Sequence, residues 1–147
     1  EAFILRARAL GYRIKLDTNG SKPQVLQTLL GKGLIDYVAM DIKAPLGKYD
    51  SITRSAVDAA AIQRSITFLR NSGVPHEFRL TFAPQLSGED ALEAALLVNV
   101  CERFFLQQYR PRCDGDPAAH SPEEVRAAAE RIREKIGVCF VRGIGPE

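Results

Sequence analysis

The sequence predicts an α/β domain built on a parallel sheet. Strand-like and helix-like segments alternate along all 147 residues without a break in composition. Successive strands stand about 24 to 40 residues apart, the spacing of βαβ crossovers rather than of hairpins. Capping and breaking residues mark most of the changeovers.

A first helix over 2–10 sets Ala2, Leu5, Ala9 and Leu10 on one apolar stripe and ends at Gly11. Residues 13–19 alternate as a strand, with Ile14 and Leu16 opposed to Lys15, Asp17 and Asn19. Pro23 opens a second helix carrying Val25, Leu26, Leu29 and Leu30, which stops at Gly31 and Gly33. A strand over 37–43 follows, then a polar loop over 44–55. The next helix carries Val57, Ala61, Ile62, Ile66 and Leu69 and stops at Asn71-Ser72-Gly73, with Pro75 just beyond.

A third strand occupies 76–82. Ser87, with Asp90 three residues later, caps a helix whose buried face is Leu92, Ala95 and Leu96. A fourth strand over 104–109 leads into a loop rich in Pro, Asp and Gly over 110–120. Ser121-Pro122-Glu123-Glu124 has the form of a capping box with proline at the first helical position. Its helix buries Val125, Ala128, Ala129, Ile132 and Ile136 and closes at Gly137. Residues 138–142 form the fifth strand.

Composition narrows the function classes. A net charge of +2 with 26% charged residues provides no electrostatic footprint for nucleic acid or an anionic membrane. No apolar run approaches a membrane span. Three cysteines cannot close a disulfide framework, and Cys101, Cys113 and Cys139 lie far apart without metal-site spacing. Cys101 and Cys139 sit in apolar runs as small hydrophobes. A reducing cytoplasm is the expected compartment.

The strand faces carry the strongest functional signal. Strands of a parallel sheet usually read as continuous apolar runs, because both faces are covered. Here Val38, Met40 and Ile42 oppose Tyr37, Ala39, Asp41 and Lys43, and Phe78, Leu80 and Phe82 oppose Glu77, Arg79 and Thr81. Three acids (Asp17, Asp41, Glu77) and three bases (Lys15, Lys43, Arg79) therefore share one face. Such a face needs internal pairing or a ligand, and equal numbers of each sign suit a zwitterion. An antiparallel sheet with one wet face is the competing fold, which the intervening helices oppose. For Lys15 and Glu77, structural pairing and function stand level. Asp17, Asp41 and Lys43 lie at the C-terminal strand ends, where parallel α/β folds place ligands.

Three segments carry a resemblance: Leu16-Asp17-Thr18-Asn19-Gly20, Asp36-Tyr37-Val38-Ala39-Met40-Asp41-Ile42-Lys43-Ala44-Pro45, and Glu77-Phe78-Arg79-Leu80-Thr81. In this order and spacing the chain resembles the radical S-adenosylmethionine activating enzymes for glycyl-radical proteins. The branch it resembles most is the pyruvate formate-lyase-activase-like one that includes anaerobic ribonucleoside-triphosphate reductase activating proteins. Phe105-Leu106-Gln107-Gln108-Tyr109 and Val141-Arg142-Gly143 fit the same branch more weakly.

The resemblance implies a partial (β/α) barrel with a largely parallel sheet, of which 1–147 form the C-terminal part. It implies S-adenosylmethionine as cofactor and a 4Fe–4S cluster that cleaves it to a 5′-deoxyadenosyl radical. That radical takes hydrogen from a glycine of a partner, here anaerobic ribonucleotide reductase, with flavodoxin or ferredoxin as electron donor. Asp17 and Asp41 would be the carboxylates near the methionine moiety, beside a possible monovalent cation. Lys43 would meet the cofactor carboxylate, Thr18 and Asn19 stand at the same strand end, and Arg79 would serve the cofactor or an internal ion pair.

Two departures stand out. Arg54 occupies the position after Ile52-Thr53 where the family pattern has glycine. The CxxxCxxC motif that holds the cluster is absent, as is the Gly-Gly-Glu-type strand that receives the methionine amine, and nothing in the spacing of the three cysteines replaces them. The expectation is a fragment lacking the N-terminal strands, exposing one sheet edge and inactive alone. Other outcomes are an activase for a different glycyl-radical enzyme, a radical S-adenosylmethionine enzyme acting on a small molecule, and a non-catalytic binding module that keeps the fold.

Overall fold

Five strands form one wholly parallel sheet in the order β1-β2-β3-β4-β5. They are β1 Lys15–Thr18, β2 Tyr37–Ile42, β3 His76–Phe82, β4 Phe104–Gln108 and β5 Phe140–Arg142. The structure, a computed structural model, describes residues 1–99 and 103–145. The described residues form six α-helices, α1 Ala2–Ala9 ahead of β1 and the rest between strands: α2 Pro23–Gly31, α3 Tyr49–Thr53, α4 Ala59–Asn71, α5 Gly88–Leu96 and α6 Pro122–Ile136. Strand order follows chain order, so every crossover leads to the next neighbour. The predicted fold class is present, and β1 forms one edge of the sheet.

Register separates the two faces. Met40 lies beside Phe78, which lies beside Phe104, and Ile42-Leu80-Leu106 make the next row. These six side chains are fully buried. They meet Leu26 and Leu29 of α2, Ile62, Ile66 and Leu69 of α4, and Val125 and Ile132 of α6 in one core. Leu80 belongs to this core and not to the charged face. Helices α2 and α4 pack together, as do α5 and α6.

Several element-level expectations need correction. On α1 the expected stripe (Ala2, Leu5, Ala9, Leu10) is exposed, and Ile4 is the residue that packs on the core. The helix lies at the periphery, where Arg8 pairs with Asp36 at 2.9 Å. On α5 the buried residues are Asp90, Ala91, Ala94 and Ala95, so of the expected face Ala95 is buried, whereas Leu96 is exposed and Leu92 only partly covered. Small side chains there let α5 approach the Ala128-Ala129 face of α6. Val57 precedes α4, whose N-cap is Asp58 accepting from the Ala60 amide.

The expected polar loop over 44–55 is instead a 3₁₀ turn, Leu46–Lys48, followed by α3, with Ala44 and Tyr49 buried. Tyr49 is therefore not part of a solvated loop, whereas Lys48 stays exposed while pairing with the largely buried Asp90 at 2.8 Å. Cys139 is buried as expected and Cys113 is exposed; Cys101 lies outside the described residues. Among the described residues no helix is long and apolar enough to cross a membrane.

Arg54 ends α3 in the left-handed region at φ 54°, which accounts physically for the glycine in the family pattern: only glycine adopts it without strain. Arg54→Gly is expected to stabilise the protein by about 1 kcal/mol. Urea denaturation checks this, and a midpoint that stays put or falls would count against the strain.

Candidate functional site

The face opposite the helices holds one connected charge network. Its centre is Glu77 on β3, which is 3% exposed. Arg142 of β5 donates to both Glu77 carboxylate oxygens, at 3.1 and 3.2 Å. The Tyr37 hydroxyl of β2 donates at 3.0 Å. Lys15 of β1 stands 4.0 Å from Glu77 and 3.7 Å from Asp17. The Arg142 guanidinium also lies 3.4 Å from the centroid of the Phe105 ring, which stacks on Phe140.

Arg79 joins this centre to the strand ends. Its Nε donates to Asp41 at 2.8 Å, and its Nη1 lies 3.0 Å from Asp17. Burial works against its charge, but Asp41, Asp17 and Glu77 outweigh that effect and hold the guanidinium more firmly protonated than usual. Lys43 pairs with the other Asp41 oxygen at 2.9 Å. The fold thus brings four of the six expected site residues (Asp17, Asp41, Lys43, Arg79) into direct contact. Lys15 and Glu77 belong to the same network through ion pairs.

Thr18 and Asn19 serve differently, because both bind within the turn after β1. Thr18 Oγ1 accepts from the Gly20 amide at 3.1 Å, and Asn19 Oδ1 accepts from the Ser21 amide at 3.1 Å. An open groove of about 650 Å³ runs past this turn and Lys43, lined also by Ile52, Thr53, Val57 and Ile62. Ser55 and Asp58 line it as well, so polar and apolar side chains alternate around the groove.

Sequence reasoning missed Arg142, Tyr37, Tyr49 and Ser65. Arg142 and Tyr37 were legible in principle, since each alternates with core residues on its strand. Tyr49 gave no such signal: its hydroxyl accepts from the Lys43 amide at 3.1 Å across a turn that pattern alone does not define. His76 and His120 take structural roles. His76 Nδ1 lies 2.8 Å from the Val74 carbonyl, and His120 stacks on Phe82.

No family model matches the chain. It is 33% identical over 111 residues to a protein of Methanocaldococcus jannaschii provisionally named a glycyl-radical enzyme activating enzyme, covering 72% of this chain and 46% of that one. The chain thus spans about half the length of this curated relative. Its fold superimposes with a TM-score of 0.76 on the crystal structure of a domain of pyruvate-formate lyase-activating enzyme from Bacteroides vulgatus. The two domains share one fold. The alignment covers 97% of this chain and 88% of that domain, at 14% identity.

Glu77 also makes the site pH-sensitive. Burial, the largest single effect, raises its pKa, but Arg142, Tyr37 and Lys15 together bring it below the ordinary glutamate value. The stability it contributes is present above pH 4.5 and is lost as pH falls through the lower folded value. Glu77→Gln is expected to be less stable at neutral pH and to lose stability less steeply below pH 4.5. Denaturant titrations across the acid range measure this, and parallel acid limbs for variant and wild type would overturn it.

Proposed function

We propose that this chain is part of a radical S-adenosylmethionine activase that generates a glycyl radical on a partner protein. The single observation behind this reading is the joined Asp17-Asp41-Lys43-Arg79 cluster at the strand ends. Similarity to an activating-enzyme relative and the shared fold support it.

The donor set fits the methionyl part of S-adenosylmethionine, which presents a carboxylate and an ammonium side by side. Lys43 is half-exposed and matches the carboxylate, while Asp17 and Asp41 match the ammonium or a monovalent cation. The groove beside Lys43 offers both hydroxyls and apolar side chains to the remainder of the ligand. When bound and reduced by one electron from a cluster held elsewhere in the proposed activase, the cofactor would release methionine and supply a 5′-deoxyadenosyl radical for hydrogen abstraction from glycine. Arg79 orients the two carboxylates by bonding both, and Tyr49 fixes the Lys43 backbone from below.

A 4Fe–4S cluster does not fit the residues described. No group of three His, Cys, Asp or Glu side chains among them is placed to hold a metal. In the proposed activase the cluster ligands belong to residues outside 1–147, consistent with a relative of about twice the matched length. The proposed partner is anaerobic ribonucleotide reductase, with flavodoxin or ferredoxin as electron donor and a cytoplasmic location.

Titration of the chain with S-adenosylmethionine, followed by amide chemical shifts, should show saturable binding. Asp41→Asn and Lys43→Met should each weaken it about ten-fold, as expected for loss of a charge-assisted hydrogen bond. Absence of saturable binding, or variants that bind like wild type, would sink the cofactor reading. Anaerobic iron–sulfur reconstitution of these 147 residues should give no stoichiometric 4Fe–4S absorbance. Partner choice is read by electron paramagnetic resonance on the whole activase of which this chain is proposed to be part, loaded with its cluster, with a glycyl-radical signal expected on anaerobic ribonucleotide reductase and not on pyruvate formate-lyase.

A further inference from the structure

Ser65 is a polar side chain in the middle of α4 with no exposure to solvent. Helical hydroxyls commonly bond the carbonyl one turn back, as Thr67 does on this helix with Gln63. Ser65 instead donates to the carbonyl of Gly20, 45 positions earlier, at 2.7 Å. That carbonyl belongs to the turn after β1, the segment that presents Asp17, Thr18 and Asn19.

Gly20 could not be replaced by another way of filling this space. It adopts φ +73°, where a side chain would be strained, and a Cβ there would have to displace the Met40 methyl and would touch Ser65 Cβ at 3.4 Å. The turn is therefore seated directly on the β2 side chain below it and tied to α4 by one hydrogen bond. Above that anchor, the Gly20 and Ser21 amides bond the Thr18 and Asn19 side chains, and Asn19 and Ser21 face the groove.

We propose that Ser65 is a positioning residue: through the Gly20 carbonyl it holds the β1–α2 turn in the conformation that presents Asn19 and Ser21 to the ligand groove. Being buried, Ser65 touches no ligand itself and acts through the turn. The ligand's identity rests on the cofactor reading above; the anchoring does not.

The test compares wild type, Ser65→Ala and the core-only control Ile66→Val by amide hydrogen exchange and by titration with S-adenosylmethionine. Ser65→Ala should lose protection at the Gly20 and Ser21 amides while the α4 amide of Leu69 keeps its own. It should also bind about ten-fold more weakly, the loss expected for one buried hydrogen bond. Ile66→Val should change neither reading. Ser65→Cys, a weaker donor of similar shape, should fall between. Turn amides protected as in wild type, or binding by Ser65→Ala as tight as by the control, would overturn the proposal. If wild type fails to bind S-adenosylmethionine, the cofactor reading falls, and the exchange data alone then decide the role of Ser65.

Discussion

A buried carboxylate on the central strand organises this domain. Glu77 draws Arg142 from β5, Tyr37 from β2 and Lys15 from β1 toward β3. An unpaired buried carboxylate would cost several kcal/mol, so these side chains have little freedom to turn elsewhere. Arg79, 4.0 Å from Glu77, bridges Asp17 and Asp41 at the strand ends, and Lys15 is shared between Glu77 and Asp17. The charged face is thereby sorted into a saturated centre and a rim in which Lys43 and Asp17 remain within reach of solvent. Ligand chemistry belongs to the rim.

The opposite face supplies the rigidity this arrangement needs. Aromatic and branched side chains on three adjacent strands close against four helices, without a polar group among the fully buried rows. Two hydroxyls tie that core to the site. Tyr49 rises from the segment after β2 to the Lys43 amide, and Ser65 reaches from α4 to the Gly20 carbonyl. Each strand end that carries a candidate ligand residue is thus fastened from below by a side chain that is not itself a ligand residue. Lys48 adds a third tie by joining the segment that walls the groove to the start of α5 through Asp90.

Much of the fold was legible because its signals are local. The boundaries of β3 match their expectation, and the Ser87–Asp90 and Ser121–Glu124 capping boxes form as the sequence indicates. The misreadings occurred where local pattern competes with neighbours. The α1 stripe lost to the helix's peripheral placement, and the Leu92-Leu96 face of α5 lost to the close approach of α6. The segment over 44–55 reads as polar, yet folds as short helices in which Tyr49 is buried and accepts from the Lys43 amide, while Lys48 reaches Asp90, 42 positions on.

Period-two alternation alone determined that one sheet face is charged and that Asp17, Asp41, Lys43 and Arg79 stand on it. The left-handed backbone at Arg54 was likewise signalled by a residue standing where glycine is expected. Tertiary structure decided which charges pair with which, that Arg142 completes the set, and that Ser65 and Tyr49 anchor the strand ends. The reason is range: alternation records the face on which a side chain stands, whereas the contacts of Arg79, Tyr37, Ser65 and Arg142 join residues 38 to 65 positions apart, which only the packed sheet brings together.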